Sequence, residues 1–351
     1  MSCKRSIFGW SAGPGGSQWY RLALPLAALK SLYGWEVEVS TGYPENRVNS
    51  PADIVVVQRP MTEVAQRTMR HWSRKSLTMV VAELDDDMWS IPPDNPAHRL
   101  AAPELLGRLD ACLGYADLVT VSTTYLAEVV SKRTTTPIRV VGNYVPAALV
   151  DRPRRARRGH KITVGWAGSP THLGDWQANA AGICRALDYS NKIDFHMIGA
   201  DYSAEVANTL RAIRHTPFQQ GITDYYDALD FHVALAPLAR TEFNLSKSDI
   251  RILESAAIGS VPVMSNWGPY AKVSGRHVYS SGTPVRERDN WRQHIADLVS
   301  SPQQLHDERG VWKEWAKART IETNVHRWHD IYEGALSSGQ GSAVKARTAD
   351  L

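Results

Sequence analysis

The stretch Phe243–Ser265, FNLSKSDIRILESAAIGSVPVMS, sets one cation and one carboxylate seven positions apart, Lys247 and Glu254. On a helix that spacing is two turns, so both side chains look from roughly the same side into one cleft. Ser246, Ser248 and Asp249 are capping residues, and the pattern predicts a helix starting at Ser246–Asp249, where unpaired N–H groups and the helix dipole favour an anion. Lys247 adds a full charge there. The pairing suits a nucleoside diphosphate, with N–H groups and Lys247 on the phosphates and Glu254 accepting from the ribose hydroxyls. An ordinary helix with a solvent-exposed Lys and Glu is the alternative.

Four other stretches carry chemistry-bearing residues beside glycines or strand ends. In ELDDDMWSIPPD, Asp85, Asp86 and Asp87 follow an apolar run. Three adjacent carboxylates repel one another and call for a cation, hydrogen-bond donors or full solvation. Asp85 and Asp87 can hold Mg²⁺ or Mn²⁺ on a diphosphate; the favoured reading is that the three bind sugar or acceptor hydroxyls, one acting as a base. A surface acidic turn is the third reading, and with no further ligand set visible no metal site is assigned. In GWAGSPTHLGD, Gly168 lets the backbone approach a ligand, Ser169 offers a hydroxyl and Asp175 opens a helix. His172 either donates to a phosphate or leaving-group oxygen, or is a structural hydrogen-bonder. In PLARTEFN, Arg240 is read as a phosphate contact or a rim charge, and Glu242 and Asn244 as sugar contacts. The remaining stretch, SAGPGGSQWYR, brings Gly13, Gly15 and Gly16 to a flexible turn before a helix, read either as a donor-binding loop whose Gly15 and Gly16 let the helix start meet a phosphate or sugar, or as a plain turn. Its glycine spacing is not that of a dinucleotide fingerprint. Arg21 at its end can add charge from across the cleft.

The elements that must position these residues are legible as alternating strand and helix. Apolar runs at Ser6–Trp10, Glu36–Val39, Asp53–Val57, Leu77–Glu83, Leu118–Ser122 and Ile138–Val141 read as buried parallel strands. The pattern restarts with Ile162–Gly165, Asp194–Gly199, His232–Pro237 and Val261–Met264. Two Rossmann-like, doubly wound domains follow, with ligands beyond the carboxyl ends of the strands. Residues 1–145 form the first domain and 161–310 the second. Between them, 146–160 is a linker whose Arg152, Arg154, Arg155, Arg157 and Arg158 mark it as exposed. Residues 311–335 are a helix packing back on the first domain, and 336–351 a disordered tail.

Composition excludes several classes. A chain of 351 residues with a net charge of +4 is soluble and globular, and that mild charge does not identify a nucleic-acid binder. Cys3, Cys112 and Cys184 are too few and too far apart for a disulfide framework or cysteine zinc cluster, which makes a reducing cytoplasm the default. No run approaches the roughly 20 apolar residues of a spanning helix. Peripheral association with a membrane stays open.

Taken together, the glycine loop with Tyr20-Arg21, the ADLVTVST strand, the GNYV turn at Gly142–Val145, GWAGSPTH and the Lys247–Glu254 helix with its glycine stop and VPV strand resemble the GT-B glycosyltransferases. More narrowly, they are similar to the retaining, nucleotide-sugar-dependent group familiar in bacterial and phage glycan genes. The resemblance implies a UDP- or GDP-sugar donor bound mainly by the second domain, with no tightly bound cofactor. It implies an acceptor (glycan, protein, small metabolite or modified DNA) bound mainly by the first. Glu254 matches the donor-ribose glutamate and Lys247 the diphosphate lysine. Ser246 stands where the group's other motif glutamate is expected, so Glu242 or Asn244 takes over its sugar contact or the chain belongs to a divergent branch. Transfer is expected to be metal-independent and retaining, in the cytoplasm of a bacterium or of a phage-infected host. A nucleotide-sugar epimerase, a phosphoryl-transfer enzyme and an inactive nucleotide-sugar-binding protein are the alternatives.

Overall fold

The computed structural model describes residues 4–75, 77–152, 161–278 and 291–338. Six strands, β1 (Ser6–Trp10), β2 (Glu36–Ser40), β3 (Ile54–Gln58), β4 (Met79–Leu84), β5 (Leu118–Val121) and β6 (Ile138–Val140), form one sheet in the order β2-β1-β3-β4-β5-β6. A second sheet holds β7 (Ile162–Gly168), β8 (Ile193–Gly199), β9 (Ile213–Pro217), β10 (Val233–Ala236), β11 (Val261–Ser265) and β12 (Arg276–Val278), in the order β12-β11-β10-β7-β8-β9. All neighbouring strands run parallel. Burial on both faces explains the unbroken apolar runs: in β3, Ile54 and Val56 join one core cluster while Val55 and Val57 join another. Strand order reverses between β1 and β3 and between β7 and β10. Those switch points are where such sheets open a ligand crevice.

All ten expected strands are present. The sequence reading missed β9 and β12, which lie at the outer positions of the second sheet. Arg214, His215 and Arg276 break their apolar pattern, and of the two strands only Ile213 and Val278 pack into the core.

The expected helix 311–335 is two helices. Pro302–Lys317, carrying Trp312 and Trp315, packs on Ile250–Ala257 and Trp291–Ser300 of the second domain. Ile321–Ser337 crosses to the first domain and packs on Leu24–Tyr33, burying Trp328 and Tyr332. That helix runs past position 336, where the tail was expected to begin. Of the basic run, Arg154, Arg155, Arg157 and Arg158 lie outside the described residues, as does the tail beyond 338. Cys112 and Cys184 are buried free thiols. Among the described residues no helix is long and apolar enough to cross a membrane.

Candidate functional site

Both switch points open onto one cleft between the domains, and the loops after β1, β3, β4, β7 and β10 line it. The loop after β1 ends at Gly15, whose φ of 128° falls where only glycine is unstrained. Gly15 and Gly16 open a helical run to Tyr33 that is wound as a π-helix over Trp19–Ala23. Such a widened turn redirects side chains and recurs at functional sites. Here it buries Tyr20, Arg21 and Leu22 in succession.

Arg21 does not reach the cleft as a free cation. It is 1% exposed; its Nε donates to Glu83 Oε1 at 2.6 Å, and its Nη1 donates to the Val141 carbonyl at 2.7 Å and to Asn143 Oδ1 at 2.9 Å. The guanidinium lies over the Trp328 ring at 4.9 Å. Burial pushes the Glu83 carboxyl up to about 7 despite this partner.

The three aspartates after β4 separate into three roles. Asp85 accepts from the Ser17 hydroxyl and lies 3.7 Å from Arg59 Nε. Burial alone would raise its pKa, but Arg59 and Ser17 outweigh that and hold the carboxyl below its usual range. Arg59 itself, just after β3, has a φ of 44°, the one left-handed non-glycine residue among those described. Asp86 faces Lys247 at 3.3 Å. Asp87 is 2% exposed, and its oxygens accept from the Trp89 N–H at 3.0 Å and the Ser90 hydroxyl at 2.6 Å. It shapes a turn and is neither a free base nor a free ligand. No metal-holding group of His, Cys, Asp or Glu occurs among the described residues.

The helix bearing Glu254 starts later than expected. A short helix, Glu242–Leu245, ends before Ser246, and Ile250–Ala257 begins after Asp249. Ser246–Asp249 is thus a connection rather than a first turn. The Asp249 carboxylate is held by Arg319 at 2.5 and 2.8 Å instead of capping the helix. Ser246 is fully buried; its hydroxyl donates to the Phe243 carbonyl and accepts from the Asp87 N–H, and its carbonyl accepts from the Thr123 hydroxyl at 2.8 Å. It anchors the loop and does not line the cleft. The Ser248 hydroxyl accepts from Asn143 Nδ2 at 2.8 Å. Lys247 is 14% exposed, its ammonium donating to Asp86 at 3.3 Å and lying 4.4 Å from the Phe243 ring centre.

Glu254 is half-buried, and each of its oxygens takes a phenol hydroxyl: Tyr20 from the first domain at 2.5 Å and Tyr225 from the second at 3.1 Å. The Tyr226 hydroxyl lies 2.9 Å from that of Tyr20 and accepts from Trp19 Nε1 at 3.0 Å. Burial raises the carboxyl's pKa, partly offset by the Tyr20 hydroxyl and Arg251. A pocket beside it is lined by Trp166, Tyr225, Phe231, Arg251 and Glu254.

The loop after β7 is arranged around Asp175. Its carboxylate accepts from His172 Nδ1 at 2.7 Å, from the Ala239 N–H and from Asn244 Nδ2, both at 2.8 Å. Arg251 donates to His172 Nε2 at 2.9 Å, which leaves the imidazole neutral with its proton on Nδ1. Burial and Arg251 push its pKa down to about 4. His172 therefore holds the loops together and offers nothing free to a phosphate, while Asn244 spends its amide donors on Asp175 and the Ala239 carbonyl. The Ser169 hydroxyl shares a hydrogen bond with Thr171 at 2.8 Å. Gly168 makes room for Arg251: a Cβ there would lie 2.7 Å from its Nη1. Arg240 is an exposed rim charge, 5.2 Å from the Trp267 ring centre.

Sequence reasoning missed Tyr20, Tyr225, Arg251, Arg59 and Asn143 as parts of the site. Arg251 had a signal, three positions before Glu254 on the same helix face. The tyrosines gave none beyond their neighbours, because their partner lies more than two hundred residues away for Tyr20.

No family model and no curated protein sequence matches the chain. The structure is similar to the Anabaena protein Alr3699/HepE in complex with UDP and glucose, with a TM-score of 0.63, 14% identity, and 96% and 100% of the two chains covered. It is similar to an α-glucosyltransferase in complex with UDP (TM-score 0.60, 11% identity, 95% and 100% covered). It is also similar to a putative UDP-N-acetylglucosamine 2-epimerase from Listeria monocytogenes (0.60, 11%, 96% and 98%). The two facing six-stranded parallel sheets and the returning C-terminal helix are a GT-B fold, as the resemblance implied.

Proposed function

We propose that the protein is a glycosyltransferase that moves a sugar from a nucleoside-diphosphate sugar to an acceptor hydroxyl, with retention and without a metal. The observation that carries this is the half-buried Glu254 carboxylate, with one O–H donor on each oxygen. Two vicinal ribose hydroxyls offer the same pair of donors, so a nucleoside takes the place of the phenols without leaving the charge unsatisfied. Lys247, seven residues before it, supplies the cation for the diphosphate.

Cleavage of the sugar–phosphate bond puts negative charge on the departing diphosphate, and a prepositioned ammonium stabilises it without reorganisation. The leaving phosphate oxygen takes the acceptor's proton, so no separate base is required. With Asp87 engaged in its turn, Asp85 and Asp86 are the carboxylates left to orient acceptor hydroxyls. A UDP-sugar is favoured over a GDP-sugar because the similar structures hold UDP. The cytoplasm, of a bacterium or of a phage-infected host, is the setting this reading expects.

Calorimetry with UDP and GDP tests it: one of them binds the wild type in the presence of a chelator, and Glu254→Ala weakens that binding at least tenfold. Unchanged affinity in Glu254→Ala sinks the ribose role. The epimerase-like structure motivates a second reading, nucleotide-sugar epimerisation. An epimerised nucleotide sugar formed without any acceptor decides for it.

A further inference from the structure

Lys247 is not on a helix, so nothing in its own secondary structure fixes where its ammonium points. It sits in the connection Ser246–Asp249, and both flanks of that connection are tied to the opposite domain. On one side Ser246 is gripped by the Asp87 N–H and the Thr123 hydroxyl. On the other, Asn143 Nδ2 donates to Ser248 Oγ at 2.8 Å.

Asn143 is itself immobilised. Its Oδ1 accepts from Arg21, which has only donors, so the amide orientation is dictated and Nδ2 must face Ser248. Arg21 in turn is fixed by Glu83, the Val141 carbonyl and the face of Trp328. A buried hydrogen-bonded chain thus runs Glu83–Arg21–Asn143–Ser248, from the centre of the first sheet to the residue after Lys247. Asn143 is 5% exposed and uses acceptor and donor at once, a combination that Leu cannot reproduce.

We infer that Asn143 is a positioning residue for Lys247: it sets the ammonium at the diphosphate only when the two domains are docked. The inference rests on the donor reading given above. It makes the cation of the second domain depend on a residue of the first, with no contact between Asn143 and the nucleotide.

The test is the ratio of uridine to UDP dissociation constants (guanosine to GDP if the guanine nucleotide binds), measured by calorimetry. That ratio isolates the diphosphate, and a general loss of stability does not move it. Asn143→Leu removes the donor to Ser248, whereas Ser248→Ala removes the acceptor from a less buried position and leaves the Arg21 bond in place. Each is expected to leave nucleoside affinity unchanged and to lower the ratio roughly tenfold, the scale of a charge-assisted hydrogen bond. The double variant should be no worse than either single one, and Lys247→Ala sets the floor. A wild-type ratio in both variants overturns the inference, as does a parallel loss of nucleoside and diphosphate affinity. If the wild type binds neither UDP nor GDP, the donor reading itself fails, and this inference with it.

Discussion

The Tyr20 hydroxyl of the first domain donates to the Glu254 carboxylate of the second at 2.5 Å. This bond spans the cleft at the position assigned to a donor's ribose, so nucleotide and Tyr20 compete for one oxygen. Tyr20→Phe removes the competitor, and UDP is expected to bind about tenfold more tightly, on the scale of a hydrogen bond to a charged group. Titration calorimetry reads this. Weaker binding would show instead that Tyr20 touches the bound nucleotide.

Lys247→Ala is expected to cost roughly tenfold or more in UDP affinity while leaving uridine affinity as it is. The same variant should slow sugar transfer by more than it weakens binding, since charge on the diphosphate grows as the bond breaks. A normal turnover rate would remove Lys247 from the leaving-group role.

His172 gives a pH signature. Its folded pKa is about 4, below the usual histidine value, so the unfolded chain binds the extra proton between about 4 and 6.5. Stability therefore rises with pH through that window and is lost as pH falls. Glu83, raised to about 7, acts with the opposite sign: stability falls as pH rises from the ordinary carboxylate range to about 7. His172→Gln should remove the first slope and leave the second, which thermal unfolding between pH 4 and 7 measures. A profile unchanged by the substitution would show that His172 is not held neutral.

Arg21→Met leaves Glu83 buried without its cation. A loss of about 3–5 kcal/mol in unfolding free energy is expected at pH 8. The loss should shrink at pH 5, where Glu83 takes up a proton. Denaturant unfolding at the two pH values checks both the size and the trend. A pH-independent cost would place the damage in lost packing on Trp328 instead.

The central strands were legible because they depend on residues close in sequence. Burial on both sheet faces leaves apolar runs such as IVVVQ, whereas the helical spacing read from Lys247 to Glu254 does not hold, because Lys247 lies in the connection before Ile250–Ala257. Edge strands β9 and β12 left no such run. Side-chain roles were less legible, since they depend on partners far along the chain. Ser246 and Asp87 look like site residues by type, yet the Ser246 hydroxyl is taken by the Asp87 N–H and the Phe243 carbonyl, and the Asp87 carboxylate by Trp89 and Ser90 of its own turn. Arg21 has the charge of a phosphate ligand, and only its burial against Glu83 shows that it is internal. For Tyr20, the deciding partner lies in the other domain.

Val145 and Thr320 form a parallel bridge, with the Val145 N–H donating to the Arg319 carbonyl and the Ile321 N–H to the Val145 carbonyl. These residues stand where the chain leaves the first domain and where it returns. The two crossings are thus fastened side by side, like paired pins in one barrel. Relative motion of the domains is narrowed to a swing about that seam, and sliding or twisting would have to break its backbone bonds. Along such a swing the Tyr20–Glu254 contact and the Asn143–Ser248 contact part together, so on the proposed donor reading the ribose seat opens as the cation loses its alignment.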